Sequence, residues 1–232
     1  MSRSDPRPSA TPRRLLVLSH RGDARRHPEN TIGALLAGLA VAGCDGVEFD
    51  VRAARDGTPV LSHDETLLRV FGDPRRVADL STAELAAAGV PTLREVLEAL
   101  PSRAFLDVEL KADVGAAVVP VLRGVRGDAP EGVVISSFDA AQLRTIRSLA
   151  PALPTWLNVV VLGPRGVRRA ARIGCRAVAA EHRSIRAPSV ALARAAGLDV
   201  AAWTVRAPAT VVRLARLGVV AACVENAALD RR

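Results

Sequence analysis

The chain has 232 residues, 49% of them hydrophobic, with a mean hydropathy of +0.19 and a formal net charge of +8. That leaves room for one sizeable core and argues against two domains, against wholesale disorder and, without a run of about 18 apolar residues, against a membrane span. Three separated cysteines in apolar runs (Cys44, Cys175 and Cys223) exclude a disulfide framework, and scattered arginines with only 3% aromatic residues exclude a nucleic-acid groove. Residues 1 to 13 are polar and Pro-rich and are expected to be a disordered tail before one domain over 14 to 232. They carry no apolar leader, so the expected location is cytoplasmic.

In chain order, Leu15 to Ser19 reads as a strand ending at His20-Arg21-Gly22. A helix is expected over Thr31 to Ala42, marked by Pro28 and by Asn30 as its cap. Gly46 to Val51 is a second strand, and after the Asp56-Gly57 turn Thr58 to Ser62 extends it and delivers His63-Asp64. Residues 65 to 91 break the alternation and are expected to form a small insertion over the mouth of the fold. Leu93, Val96, Leu97 and Leu100 have helical spacing. A strand over Phe105 to Leu110 and a helix over Val114 to Val125 follow. Val133 to Ser136, Thr155 to Val159, Ala177 to Ala180, Val200 to Trp203 and Val219 to Val224 supply further strands between Ala/Arg/Leu helices. Eight strands alternating with helices in about 210 residues, with no glycine-rich nucleotide motif, predict an α/β fold: a TIM (β/α)8 barrel with a small insertion after the second strand, favoured over an open doubly wound sheet.

Strand residues two apart share a face, so Glu48 and Asp50 point together, as do Asp107, Glu109 and Lys111. In a parallel barrel these strand ends open on one mouth. Glu48, Asp50 and Glu109 brought together repel unless a cation lies among them, and an all-oxygen set suits Mg²⁺ or Ca²⁺. His20 and His63 open on the same mouth and are expected to transfer protons, one as base and the other as acid. Arg21 can hold a phosphate oxygen through its planar fork. Lys111 is the only lysine among 32 basic residues, which points to a position needing a compact ammonium. The alternative for Glu109 and Lys111 is an ordinary ion pair at a strand end. His27 and His182 are read as structural. The net positive charge favours an anionic substrate such as a phosphodiester.

These residues resemble the glycerophosphodiester phosphodiesterase family. The resemblance runs through His20-Arg21-Gly22, Pro28-Glu29-Asn30-Thr31, Gly46-Val47-Glu48-Phe49-Asp50-Val51, Asp56-Gly57-Thr58-Pro59-Val60, His63-Asp64, Val108-Glu109-Leu110-Lys111, weakly Ser137-Phe138, and Trp203-Thr204-Val205. It implies a (β/α)8 barrel in which Glu48, Asp50 and Glu109 hold one divalent cation, Mg²⁺ or Ca²⁺. By the same resemblance His20 and His63 are the general acid/base pair, Arg21 and Lys111 contact the phosphate, and Trp203 lines the pocket for the glycerol or alcohol portion. The implied substrate is a small glycerophosphodiester, hydrolysed to sn-glycerol 3-phosphate and an alcohol. Lysophospholipase D activity and phosphodiester binding without turnover are the alternatives. The sequence departs from the family's motifs late, at Arg206, where asparagine is common, and in the last strand, which reads Gly218-Val-Val-Ala-Ala-Cys-Val-Glu225-Asn226-Ala227 in place of Gly-x-Asp-Gly and Thr-Asp-x-Pro.

Overall fold

The computed structural model describes residues 14 to 230; the expectation for residues 1 to 13 lies outside them. The barrel strands are β1 (Leu16–His20), β2 (Gly46–Ala53), β4 (Phe105–Leu110), β5 (Val133–Ser137), β6 (Thr155–Val159), β7 (Ala177–Glu181), β8 (Asp199–Val205) and β9 (Ala221–Val224). All pair in parallel in the order β1-β2-β4-β5-β6-β7-β8-β9, and β9 pairs back onto β1, closing the eight-stranded TIM barrel. The remaining strand, β3 (Pro59–Leu61), is a correction to the expected extension of the second strand. It folds back antiparallel on β2, with Val51 opposite Leu61, because the turn at Gly57 (φ +81°) reverses the chain.

Strand parity divides the core into two layers. Val47, Phe49 and Val51 face outward and pack with Leu35, Leu93, Val96 and Leu97 of the covering helices α1 (Ile32–Leu39) and α4 (Leu93–Ala99). The lower lumen holds Leu18, Val134, Trp156, Ala177, Ala179, Ala201, Ala221 and Cys223. With so many alanines it is not filled: a cavity of about 540 Å³ opens at the N-terminal ends of the strands, lined largely by apolar groups from Leu16, Phe105, Trp156 and Val220. The acids and histidines of the strands' C-terminal ends are not among its lining residues, so this void is not the chemical site.

Between β3 and α4 lie two short helices, α2 (Leu68–Phe71) and α3 (Thr82–Ala87), and a 3₁₀ turn at Val77–Asp79. They bury Leu67, Val77, Leu80, Leu85 and Val90 against Ala54 and Val60, a satellite cluster outside the barrel core. Ser81 and Glu84 form a capping box at the start of α3, and Thr92 and Glu95 do the same for α4. The cap of α1 is Thr31, whose hydroxyl accepts from the Ala34 amide, and not Asn30 as its position suggested. Asn30 takes a left-handed conformation (φ +58°) and turns its side chain into the lumen.

Candidate active site

The C-terminal ends of β1, β2 and β4 bring the sequence-predicted acids together. Register places His20 beside Glu48, Glu48 beside Asp107, and Asp50 beside Glu109. Glu48, Asp50 and Glu109 are buried, each with a carboxylate oxygen within 4.8 Å of the others. Glu48 Oε1 is buried without a hydrogen-bond partner, and Asp50 Oδ1, buried beside it, faces the Lys111 ammonium. Hard carboxylate oxygens converging at this spacing, one of them unsatisfied, fit a divalent cation such as Mg²⁺ or Ca²⁺ and fit softer metals poorly.

Burial, with the charges of Asp50, Glu109 and Asp107 adding to it, pushes the Glu48 carboxyl well above its usual range. Glu109 is raised for the same reasons, burial and then Asp50. Asp50 goes the other way: burial would raise it, but Arg21 and Lys111 outweigh burial and hold it low. Lys111 Nζ lies 2.6 Å from Glu109 and 3.2 Å from Asp50, so the ordinary ion pair and the crowded ammonium site are one arrangement. Arg21 Nε is 3.0 Å from Asp50, and its Nη1 donates to Glu29 at 2.9 Å. Both cations keep raised pKa values against the opposing effect of burial, because these acids surround them.

The turn after β1 aims this machinery. Arg21 has φ +57° and Gly22 φ +83°, and a Cβ on Gly22 would sit 2.3 Å from the backbone carbon of Ala34. The turn therefore requires glycine, which lets α1 approach closely enough for Asn30 to reach Asp50. There the Asn30 amide donates to Asp50 Oδ2 at 2.9 Å, and its carbonyl oxygen accepts from the Asp50 backbone at 3.1 Å.

Each of the two histidines is engaged by a carboxylate. His20 Nδ1 is 2.5 Å from Glu225 Oε1, with Nε2 turned to Glu48 at 3.7 Å. His63 Nδ1 is 2.6 Å from Asp64 Oδ1, and Arg69 Nε donates to the other oxygen of Asp64 at 2.6 Å. Arg69 also donates to Glu29, which in turn holds Arg21, so one chain of ion pairs runs from His63 to the acid cluster. With Arg69 and His63 outweighing burial, Asp64 is held down to about 2. Opposite, Trp203 donates its indole N–H to Ala179 and meets Phe138 edge-on at 5.5 Å; Lys111 Nζ lies 5.8 Å from the Phe138 ring. His182 sits apart beside Glu181, its pKa lowered by burial.

Sequence reasoning missed the second layer: Asn30, Glu29, Arg69 and Glu225. From its position Asn30 reads as the helix cap, which Thr31 supplies. Glu225 comes just after β9, two residues beyond the lumen-facing Cys223, and that parity is the signal that places its side chain at the mouth.

The family model described as "Glycerophosphoryl diester phosphodiesterase family" matches residues 20–229. A protein of Caldanaerobacter subterraneus named glycerophosphodiester phosphodiesterase is 33% identical over 160 residues, 60% of this chain; the chain spans 65% of that relative's length. A Mycobacterium tuberculosis protein named "Probable glycerophosphodiester phosphodiesterase 2" is 33% identical over 83% of this chain and 80% of its own. An Oleispira antarctica phosphodiesterase solved with its product sn-glycerol-3-phosphate superposes with a TM-score of 0.81 at 27% identity, over 91% of this chain and 93% of that one. The barrel, its acid cluster and a family match over nearly all of the described residues agree, and the chain belongs to the glycerophosphoryl diester phosphodiesterase family.

Proposed function

We propose that this chain hydrolyses glycerophosphodiesters to sn-glycerol 3-phosphate and an alcohol. The observation that carries the reading is the pairing of two histidines with one acid cluster. Both rings have Nδ1 engaged by a carboxylate, which leaves each Nε2 available to a bound ester. Glu48, Asp50 and Glu109 would hold one Mg²⁺ or Ca²⁺, which when bound supplies positive charge for the phosphoryl oxygens. Arg21 and Lys111 stand against the same acids and would add directional N–H donors to those oxygens. One Nε2 takes a proton from the attacking oxygen, that of water or of the glycerol 2-hydroxyl, as its bond to phosphorus forms, and the other gives one to the alcohol oxygen as its P–O bond breaks; with water the two rings reset by exchange with solvent, and with the 2-hydroxyl they exchange roles when water opens the cyclic phosphate. Trp203 and Phe138 present an aromatic wall to the alcohol portion.

Lysophospholipids are a second substrate class, favoured by exposed Phe138, Val160 and Val161 on the loops after β5 and β6. The test is release of glycerol 3-phosphate from glycerophosphocholine, glycerophosphoethanolamine and glycerophosphoglycerol, beside head-group release from a lysophospholipid. Turnover abolished by His20→Ala and by His63→Ala is expected. Tight binding without turnover, unchanged by His20→Ala, would leave only a phosphodiester-binding barrel.

A further inference from the structure

We propose that Glu225 is a positioning residue for the reaction: it sets the tautomer and orientation of His20, and Arg206 in turn fixes which face of Glu225 the histidine meets. The inference rests on the reading of His20 as a proton-transfer group. Glu225 follows β9, where the barrel closes onto β1, and uses both carboxylate oxygens. Oε1 receives His20 Nδ1 at 2.5 Å, and Oε2 accepts from Arg206 Nε at 2.8 Å. Its backbone N–H donates to Val205 at 2.9 Å, which ties it to the end of β8 just after a register irregularity between Ala202 and Val205.

An imidazole facing a carboxylate through Nδ1 keeps its hydrogen there, so the Nε2 lone pair is directed at the acid cluster. Flipping the ring would give up the Glu225 bond and leave Oε1 of a half-buried carboxylate without its partner. Among the described residues, Glu225 is the one carboxylate within hydrogen-bond reach of His20, since Glu48 Oε2 lies 3.7 Å from its Nε2.

The same motif recurs across the site from an unrelated stretch of chain. His63 meets Asp64, and the second oxygen of Asp64 meets Arg69 Nε. Two histidines are thus each backed by a carboxylate, and each carboxylate by the Nε of an arginine. Arg206 and Glu225, both at places where the sequence departs from the family's motifs, are partners of each other.

The arrangement makes an unusual prediction for Glu225→Gln. Arg206 Nε can only donate, so it claims the glutamine oxygen and turns the amide N–H₂ toward His20 Nδ1. That forces the hydrogen onto Nε2, the wrong tautomer for a base. By analogy with the loss of about 10⁴ when a triad aspartate becomes asparagine, kcat should fall by at least about 100-fold. KM should stay within about threefold, because the substrate-binding groups are untouched. In Glu225→Gln/Arg206→Ala the amide is free to turn its oxygen to Nδ1–H, and kcat should recover by about tenfold or more over the single variant.

The experiment measures kcat and KM on glycerophosphocholine with saturating Mg²⁺, together with imidazole ¹⁵N spectra, which are tractable because the chain has only four histidines. A His20 signal with protonated Nδ1 in the wild type, moved to protonated Nε2 in Glu225→Gln and restored in the double variant, supports the proposal. A Glu225→Gln kcat within about threefold of wild type, or a double variant no better than the single, overturns it. If the wild type hydrolyses no glycerophosphodiester, the proposed function fails, and the nitrogen spectra alone then decide whether Glu225 sets the His20 tautomer.

Discussion

Replacing Asp107 by asparagine in protein stripped of metal tests the electrostatics of the lumen. Asp107 lies on β4 beside Glu48, 3% exposed, with Oδ1 unpartnered. Burial above all, with the charges of Glu109 and Asp50 adding to it, raises its carboxyl from 3.8 to about 7. The folded state therefore holds a proton between pH 4 and 7 that the unfolded chain has released, so stability falls as pH rises through that window. At about 1.4 kcal/mol per pH unit the loss is on the order of 4 kcal/mol once both states are ionised. Asparagine does not titrate. Above pH 8 the variant should be more stable than wild type by up to about 4 kcal/mol, roughly 10 °C in Tm for a domain of this size, and the gap should close near pH 4. Thermal unfolding in a chelator from pH 4 to 9 measures this directly. A variant no more stable than wild type at pH 8, or a gap independent of pH, would refute the reasoning.

Lys111→Arg should keep its melting temperature within a few degrees but lower kcat/KM by about 100-fold, since a guanidinium cannot occupy a point 2.6 Å from Glu109 and 3.2 Å from Asp50 without displacing one of them. Gly22→Ala should destabilise by more than about 3 kcal/mol in urea unfolding, because its Cβ meets the Ala34 backbone and its φ is positive; a milder effect would mean that the turn can relax. Arg69→Ala should lower kcat by about tenfold, because Asp64 and Glu29 both lose a partner, while the melting temperature changes little. An unchanged kcat would show that the His63 side needs no such support.

The barrel was legible because alternation of strands and helices is a local property of sequence, and because parity along Gly46–Val51 and Phe105–Leu110 separates lumen acids from the outward-facing Val47, Phe49 and Val108. Parity also reached the acid cluster, since Glu48, Asp50 and Glu109 need only adjacent strands in register. What escaped depends on closure. His20 and Glu225 are 205 positions apart and meet only because β9 pairs with β1. Asn30 differs for another reason: a helix cap and an amide that hydrogen-bonds a lumen acid have the same sequence signature, and the left-handed conformations of Arg21, Gly22 and Asn30 itself decide between them. Arg69 carries no signal in a chain where nearly every basic residue is arginine, and Arg206 stands out only as a departure from the family's motif, with nothing in the sequence to pair it with Glu225.

Phosphodiester hydrolysis is proposed to depend on a divalent cation held by Glu48, Asp50 and Glu109. The direct test is glycerol 3-phosphate release by chelator-stripped protein titrated with Mg²⁺ and with Ca²⁺, in the wild type and in Glu48→Gln. No turnover is expected without metal, with saturable recovery in the wild type and recovery lost or shifted to much higher metal concentration in Glu48→Gln. Full turnover in chelator, or the same metal dependence in both proteins, would contradict it.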